Sequence, residues 1–384
     1  MLEHIGNEVK YKENREKRSM TEYKRLGDYI REVNVRNREL KVTKLVGLTI
    51  DKAFIPSVAN VIGTDLSNYK VIRKEQFACS LMQVSRDGKM PFAMFEEDEA
   101  IMSPAYPMFE VIDKTMLMPQ YLMMWFSRSE FDREASYYAV GGVRGSLTWE
   151  DFCNMQLPIP SITRQREIVS EYETLTNRIR LNNQMIQHLE ATAQALYRKT
   201  FVDNIDKENL PEDWRIGTLG EIAIIKAGGD KPNDFSELQT EKYKVPIYAN
   251  GIDNKGIFGF TTKPVITTKS ITISARGTIG YCFLRKQPYV PIVRLIVVIP
   301  HNEDVTQYLY YYLNNSNIKG SGSVQSQLTV PDMESRNIVI PPTQLIQEFY
   351  QQVEIIDNSI SFCEKENEIL TELQSLLLTK MGQK

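Results

Sequence analysis

LPIPSITRQREIVSEYETLTNRIRLNNQMIQHLEATAQAL, residues 157–196, is the stretch that decides the fold. It leaves an apolar strand through Pro158 and Pro160. Then Ile168, Tyr172, Leu175, Ile179, Asn182, Ile186, Leu189, Ala193 and Leu196 recur at steps of four and three, the a/d spacing of a coiled-coil seam. Asn182 is the one strongly polar residue of that seam. No Pro or Gly interrupts residues 161–200, so the spacing predicts a single helix of ~39 residues, roughly 58 Å long at ~1.5 Å per residue.

The stretch occurs twice. At a shift of 181 positions, LTWEDFCNMQLPIPSITRQREIVSEYETLTNRI (147–179) lies over LTVPDMESRNIVIPPTQLIQEFYQQVEIIDNSI (328–360). Leu147/Leu328, Thr148/Thr329, Asp151/Asp332, Ile159/Ile340, Pro160/Pro341 and Glu167/Glu348 match. The heptad carries over as Phe349, Val353, Ile356, Ile360, Cys363, Asn367, Leu370, Gln374 and Leu377. Further upstream, Leu26-Gly27-Asp28 lies over Leu219-Gly220-Glu221 at 193, and Gln120-Tyr121-Leu122 over Gln307-Tyr308-Leu309 at 187. A falling shift is what a duplication with fixed ends and variable middles leaves behind.

The expected organisation is a charged extension (1–19), a first domain (20–160), a long helix (161–204), a second domain (205–341) and a closing helix (342–384). Each body alternates short β-rich runs (Leu45–Ile50, Ala100–Ile112, Ile222–Lys226, Val265–Ser274, Ile279–Leu284, Ile292–Ile299) with turn signals such as Asp87-Gly88 and Asn250-Gly251. Helical runs are predicted at Gln120–Phe131 and Thr306–Asn314, ahead of Gly-rich loops at 141–145 and 320–322. The fold class is therefore α+β: two tandem domains of mixed, β-rich fold, separated and closed by two long helices whose seams form a coiled coil, with a pseudo-twofold internal repeat. Under that pseudo-dyad Asn182 and Cys363, the midpoints of the two seams, lie near each other.

Composition is that of an ordinary globular chain, 42% hydrophobic and 25% charged over 384 residues. The first twenty residues hold no apolar h-region and no run approaches a membrane span, the expectation being a cytoplasmic protein without membrane contact. Four cysteines without a CxxC pair predict reduced, structural thiols and no metal.

Net charge is −3, but it is segregated. Residues 24–89 hold 13 Lys+Arg against 7 Asp+Glu, and residues 242–294 hold 9 against 1, while residues 343–384 carry 7 acidic and 3 basic groups. Such separation fits a nucleic-acid binder whose other faces serve other partners. The expected DNA contacts are loop cations and amides: Arg36, Arg38, Lys44, Arg86, Lys89 and Arg144 in the first half, and Lys231, Asn250, Asn254, Lys255, Lys263, Lys269 and Arg276 in the second. Arg276 stays open between DNA contact and support of its own glycine loop. Most such contacts touch phosphate and a minority read bases.

No GxxxxGK[ST] phosphate loop and no GxGxxG after a strand is present, nor an Asn-Pro-Pro-aromatic motif of the kind amino-methyltransferases place over a flipped base. Three scattered histidines and an isolated Glu39-Leu40-Lys41 form no catalytic set. No catalytic residue is assigned.

Leu157-Pro158-Ile159-Pro160 with Gln165-Arg166-Glu167-Ile168, the echo Ile338-Val339-Ile340-Pro341-Pro342 with Gln347-Glu348, Leu210-Pro211-Glu212-Asp213-Trp214 at the second opening, the loop Ile273-Ser274-Ala275-Arg276-Gly277-Thr278-Ile279-Gly280, and Met102-Ser103-Pro104-Ala105-Tyr106 together resemble the specificity subunits of Type I restriction-modification systems. The resemblance covers residues ~20–384 as an architecture. It implies a non-catalytic reader in which each recognition domain binds one half of a bipartite, gapped site in double-stranded DNA. The two helices then form an antiparallel coiled-coil pair that sets the spacing and docks two methyltransferase subunits through outer residues such as Arg164, Arg166, Glu171, Arg178 and Arg180. Restriction/translocase subunits complete the complex. S-adenosylmethionine, ATP and Mg2+ are implied on the partners and no cofactor on this chain. The rival reading is a coiled-coil scaffold or inhibitor without DNA specificity, which leaves the basic excess of residues 242–294 unexplained.

Overall fold

The shared Leu-Thr-x-x-Asp sequence is a helix start. In the computed structural model, which describes residues 23–57, 63–82, 84–139, 146–203, 205–206, 208–316, 318 and 327–382, Thr148 caps the helix Trp149–Asn154 by accepting the Asp151 N–H at 3.0 Å. Thr329 caps Val330–Glu334 in the same way, and Asp332 accepts the Thr329 N–H in return, a complete capping box. The cap turns the chain into a short closing strand that pairs with the opening one: Gln156–Pro158 runs antiparallel to Tyr23–Arg25, and Asn337–Ile340 to Arg215–Thr218. Thr329→Ala should lower stability by ~1 kcal/mol, read as a drop in the thermal midpoint, whereas Thr329→Ser should leave it within error.

The repeated Gln-Tyr-Leu serves the same closure. Tyr121 donates its hydroxyl to the carbonyl of Pro158 and Tyr308 to that of Val339, two acceptors related by the 181-residue shift. Burial raises the pKa of both phenols, so both stay protonated donors at neutral pH.

The chain divides into two units, one formed by residues up to Leu181 together with those from Glu366 onward, the other by Asn182–Lys365. Each long helix contributes one half to each unit.

In the first unit a four-stranded antiparallel sheet runs in the order Ile30–Glu32, Met108–Val111, Phe77–Cys79, Phe92–Met94. Its core is aromatic, with Phe77, Phe92, Phe109, Phe126 and Phe152 all buried. The run predicted over Ala100–Ile112 is two strands, Glu99–Met102 and Met108–Val111. Pro104 and Pro107 have no N–H for a ladder, and a turn with the Tyr106 N–H on the Ser103 carbonyl takes their place. The helical run at Gln120–Phe131 is likewise two helices, Pro119–Phe126 and Ser129–Ala139.

In the second unit one antiparallel sheet has the order Ala223–Ala227, Ile296–Pro300, Ser270–Ile273, Cys282–Arg285. A second has the order Phe235–Ser236, Ile257–Thr261, Val245–Tyr248, Val290–Pro291, its last pair parallel. The helix Val305–Asn315 falls where the sequence predicts one. The strand expected from Ile292 begins only at Ile296, because residues 292–295 form a turn.

The long helices are Ile162–Phe201 and Thr343–Met381, 40 and 39 residues. Within the first unit Ile168, Val169 and Tyr172 share a core with Leu377, Leu378 and Met381, and Arg178 bonds Glu366 further along. Rising numbers on one helix meet falling numbers on the other, so they run antiparallel. Within the second unit Tyr197 and Phe201 meet Phe349, and Met185 shares a groove with Cys363, the same antiparallel sense. Among the seam positions Ile168, Phe349 and Val353 are buried, and Leu175, Ile179, Ile186, Leu189, Leu196, Ile356, Ile360, Cys363, Leu370 and Leu377 are half-buried. Asn182 is 4% exposed. It lies one turn from Met185, so the two seam midpoints fall in the same stretch of the pair, not at its opposite ends. Buried polarity at such a seam position fixes register at some cost in stability.

Candidate nucleic-acid interface

The basic excess of residues 242–294 is in large part answered from within the second unit. Lys255 pairs with Glu364 at 3.0 Å, Lys286 with Asp357 at 3.2 Å, and Lys269 with Glu303 and Glu354, all of these acids except Glu303 lying on the final helix. Burial would lower the pKa of Lys269, but its bonds to Glu303 and the Tyr350 hydroxyl outweigh burial and raise it. The acid of the final helix and the base of the preceding body are thus two sides of one internal contact. Lys242 is engaged by Asp234 at 3.5 Å. Arg285 is 4% exposed; it stacks 3.5 Å from the centre of the Tyr248 ring and donates to Thr272 Oγ1 and to the Lys255 carbonyl.

Four of the nine cations remain. Lys244, Lys263, Arg276 and Arg294 are exposed and, among the described residues, have no carboxylate at ion-pair distance. Lys231, just outside that stretch, is also exposed and lies 4.0 Å over the Phe235 ring. Arg276 is therefore no buried support for its loop: it is exposed, and among the described residues its guanidinium donates to Gln327 Oε1 at 3.4 Å. The loop is held by Ser274, whose hydroxyl donates to the Thr278 carbonyl and accepts the Tyr281 N–H. Gly277 and Gly280 take φ of 69° and 92°, which favours glycine at both, and a Cβ on Gly280 would come within 2.9 Å of the Ile318 carbonyl oxygen, so Gly280 also needs it for space.

Asn250, expected as a DNA-contacting amide, has both ends of its side chain committed to backbone. Its Oδ1 accepts the Ala275 N–H at 2.7 Å and its Nδ2 donates to the Val293 carbonyl at 2.6 Å. It is a clamp joining three loops. The Asn250-Gly251 turn signal is also displaced: the left-handed residues are Asn254 and Lys255, with φ of 48° and 52°. Asn254 is exposed there, while Lys255 is turned to Glu364.

In the first unit Arg36 and Arg38 converge on Asn68, Arg36 on its carbonyl at 2.6 Å and Arg38 on its side-chain oxygen at 3.1 Å. Asp65 fixes Asn68 in turn. Neither arginine has a carboxylate at ion-pair distance among the described residues. The other candidates are paired at the surface: Lys44 with Glu97, Arg86 with Asp87, and Lys89 with Asp51 at 3.6 Å. Exposed pairs of this kind contribute only ~0–1 kcal/mol, so they can open, but each reduces the local positive field. Arg144, the Gly-rich loops at 141–145 and 320–322, and the extension 1–19 lie outside the described residues.

Among the described residues no group of three or more His, Cys, Asp or Glu is placed to hold a metal, and no helix is long and apolar enough to cross a membrane. The four cysteines are free; burial pushes the Cys282 thiol up to about 12.

Residues 211–375 match the family described as the type I restriction modification DNA specificity domain. A Mycoplasma pneumoniae protein named as a C-terminal part of a type I specificity subunit is 37% identical over 103 residues, covering 27% of this chain and 69% of that one. The chain belongs to the type I specificity-subunit family. Another M. pneumoniae protein named as a type I specificity subunit is 34% identical over 180 residues, 47% of this chain. This family member spans about half (52%) of that relative's length. In fold, it resembles the S subunit of a type I restriction-modification system from M. genitalium, at a TM-score of 0.57 and 15% identity over 94% of this chain and 96% of that one.

Two features of this family member were not drawn from its sequence. Arg294 and Lys244, counted in the basic excess but assigned no role, have no carboxylate at ion-pair distance among the described residues. On the final helix Ile355, Phe362, Ile369 and Leu376 repeat every seven residues and are 70%, 66%, 59% and 58% exposed. This is a second apolar row, off the seam. In the second unit the exposed Met185 stands beside Ile355 and Phe362 in one groove, which Leu189 and Cys363 also line. Arg178, expected to face partners, instead bonds Glu366, and Arg164 pairs with Glu167 at 2.8 Å.

Proposed function

We propose that this chain is the non-catalytic, sequence-specific DNA-binding subunit of a Type I restriction-modification complex, each unit reading one half of a bipartite, gapped site in double-stranded DNA. Membership of the family carries the reading, and cations of both units support it. Arg36 and Arg38 in the first unit, and Lys231, Lys244, Lys263, Arg276 and Arg294 in the second, supply positive charge with no carboxylate at ion-pair distance among the described residues. Exposed cations of this kind bind phosphate and give affinity that falls steeply with salt. The helices, each roughly 60 Å long at ~1.5 Å per residue, suit a spacer between half-sites about one helical turn apart, ~34 Å.

Methylation and cleavage then belong to partners: two methyltransferase subunits, which would hold S-adenosylmethionine, and restriction/translocase subunits, which would use ATP and Mg2+. The complex would work in the cytoplasm, where the DNA is. A helix whose seam is already occupied has no internal use for a second apolar row, and the Ile355–Phe362–Ile369–Leu376 row suits helices of the methyltransferase subunits. Phe362→Glu should abolish co-purification of those subunits while shifting the thermal midpoint little, since the ring is 66% exposed.

Selection from a pool of randomised duplexes by the chain assembled with its methyltransferase subunits tests the reading. Two short defined blocks separated by a fixed undefined gap are expected. A continuous palindrome, or no enrichment, would favour the scaffold reading.

A further inference from the structure

Residues 292–295 of the second unit form a tight turn closed by the Leu295 N–H on the Ile292 carbonyl at 3.1 Å. Its two central residues, Val293 and Arg294, have φ of 53° and 63°. Two left-handed residues in succession are the type I′ pattern, which Asn-Gly satisfies without strain and a β-branched valine satisfies badly. Yet the conformation is held from three sides. The Val293 N–H donates to the Gly229 carbonyl at 2.9 Å, the Arg294 N–H to the Gly228 carbonyl at 3.2 Å, and the Val293 carbonyl accepts Asn250 Nδ2 at 2.6 Å.

The flanks of the turn are core: Ile292 is 0% and Leu295 2% exposed. Its tip is not, with Val293 48% exposed and Arg294 exposed beside it. Neither tip side chain packs in the core, so the fold itself would be better served by Asn-Gly. Strained residues fixed by their surroundings concentrate where a side chain is wanted for an external contact. The Asn250 clamp supplies a second cation to the same edge: Ala275 and Val293 hang from the two ends of one amide, so Arg276 and Arg294, the next residue in each loop, stand at one rim although 18 positions apart.

We propose that the Val293-Arg294 turn is a base-reading element of the second unit, with Arg294 addressing a guanine edge and Val293 an adjoining thymine methyl, while Arg276 holds the neighbouring phosphate. An arginine fork matches guanine O6 and N7, and small apolar groups discriminate the thymine methyl. This rests on the reading of the chain as a DNA-binding subunit.

The test uses the full chain assembled with its methyltransferase subunits and duplexes carrying the wild-type motif, with each defined base pair changed in turn. Arg294→Ala is expected to weaken binding to the wild-type duplex by roughly 10- to 100-fold, and to lose discrimination at one position of one half-site only. The double variant Val293→Asn, Arg294→Gly is expected to lose that discrimination and the one at the adjoining position while its thermal midpoint holds or rises. The proposal is overturned if Arg294→Ala binds as wild type, if it weakens all duplexes equally, or if the double variant keeps wild-type discrimination. A wild-type complex without any gapped preference would instead sink the DNA-reading assignment itself, before either variant is compared.

Discussion

Asp132→Ala is expected to destabilise the first unit by about 3–5 kcal/mol at neutral pH, and the loss is expected to shrink as pH rises toward 10. Lys52 and Asp132 have side chains only 10% and 12% exposed, with Nζ to Oδ2 at 2.9 Å. The ammonium also donates to the Phe126 carbonyl, and the second carboxylate oxygen accepts the Met90 N–H at 3.1 Å. Removing the carboxylate leaves a buried cation with one neutral acceptor and an orphaned N–H. Burial lowers the pKa of Lys52 and its bond to Asp132 partly restores it. With the folded pKa below the unfolded value of ~10.4, the unfolded chain binds more protons between the two values, so stability rises with pH across that window. Without Asp132 the folded pKa falls further, so the variant's deficit shrinks as pH rises from its own folded pKa to that of the wild type and is constant above that. Urea midpoints at pH 7 and pH 10 check this. An equal deficit at both would contradict it.

Phe349→Ala carries the other large effect, also about 3–5 kcal/mol, this time in the second unit. Phe349 is 2% exposed, and its ring meets those of Phe201 at 5.0 Å, Tyr311 at 5.9 Å and Tyr197 at 6.2 Å. It belongs to the final helix, Phe201 and Tyr197 to the first long helix, and Tyr311 to the body of the unit. Truncation therefore opens a cavity where three elements meet, and the lost ring contacts add to the lost burial. Hydrogen exchange should show faster opening throughout Ala193–Phe201 and Thr343–Ile356, with the amides of the Phe77–Cys79 strand unchanged. A loss below ~1 kcal/mol, far under the range for a buried aromatic, would show the seam to be loosely packed there.

Much of the frame was legible because its signals are local. The helix predicted over 161–200 is Ile162–Phe201, since nothing in it breaks a helix and one face is apolar. The Leu-Thr-x-x-Asp echo is a cap, a contact spanning three residues, and so it survives in the sequence. Tyr121 and Tyr308 show that even a weak three-residue repeat marked a real, equivalent bond.

The interface was less legible, because charge partners are remote. Lys255 and Glu364 are 109 residues apart, and counting cations within a window cannot reveal that acid on another element answers them. Asn250 looked like a free amide beside a glycine, whereas its partners lie on loops 25 and 43 positions away. The Val293-Arg294 turn carried no Gly, Asn or Asp to announce it. The outer row of the final helix was hidden by the seam, whose seven-residue period it shares.

Single-molecule mapping of methylated adenine in cells that carry this chain with its methyltransferase subunits tests the bipartite reading most directly, when repeated after residues 20–156 are exchanged for the corresponding segment of another family member. One gapped motif is predicted for the native chain, and after the exchange a motif altered in one half-site with the other half-site and its methylation retained. A change in both half-sites, or a motif that follows the methyltransferase and ignores the exchange, would contradict it.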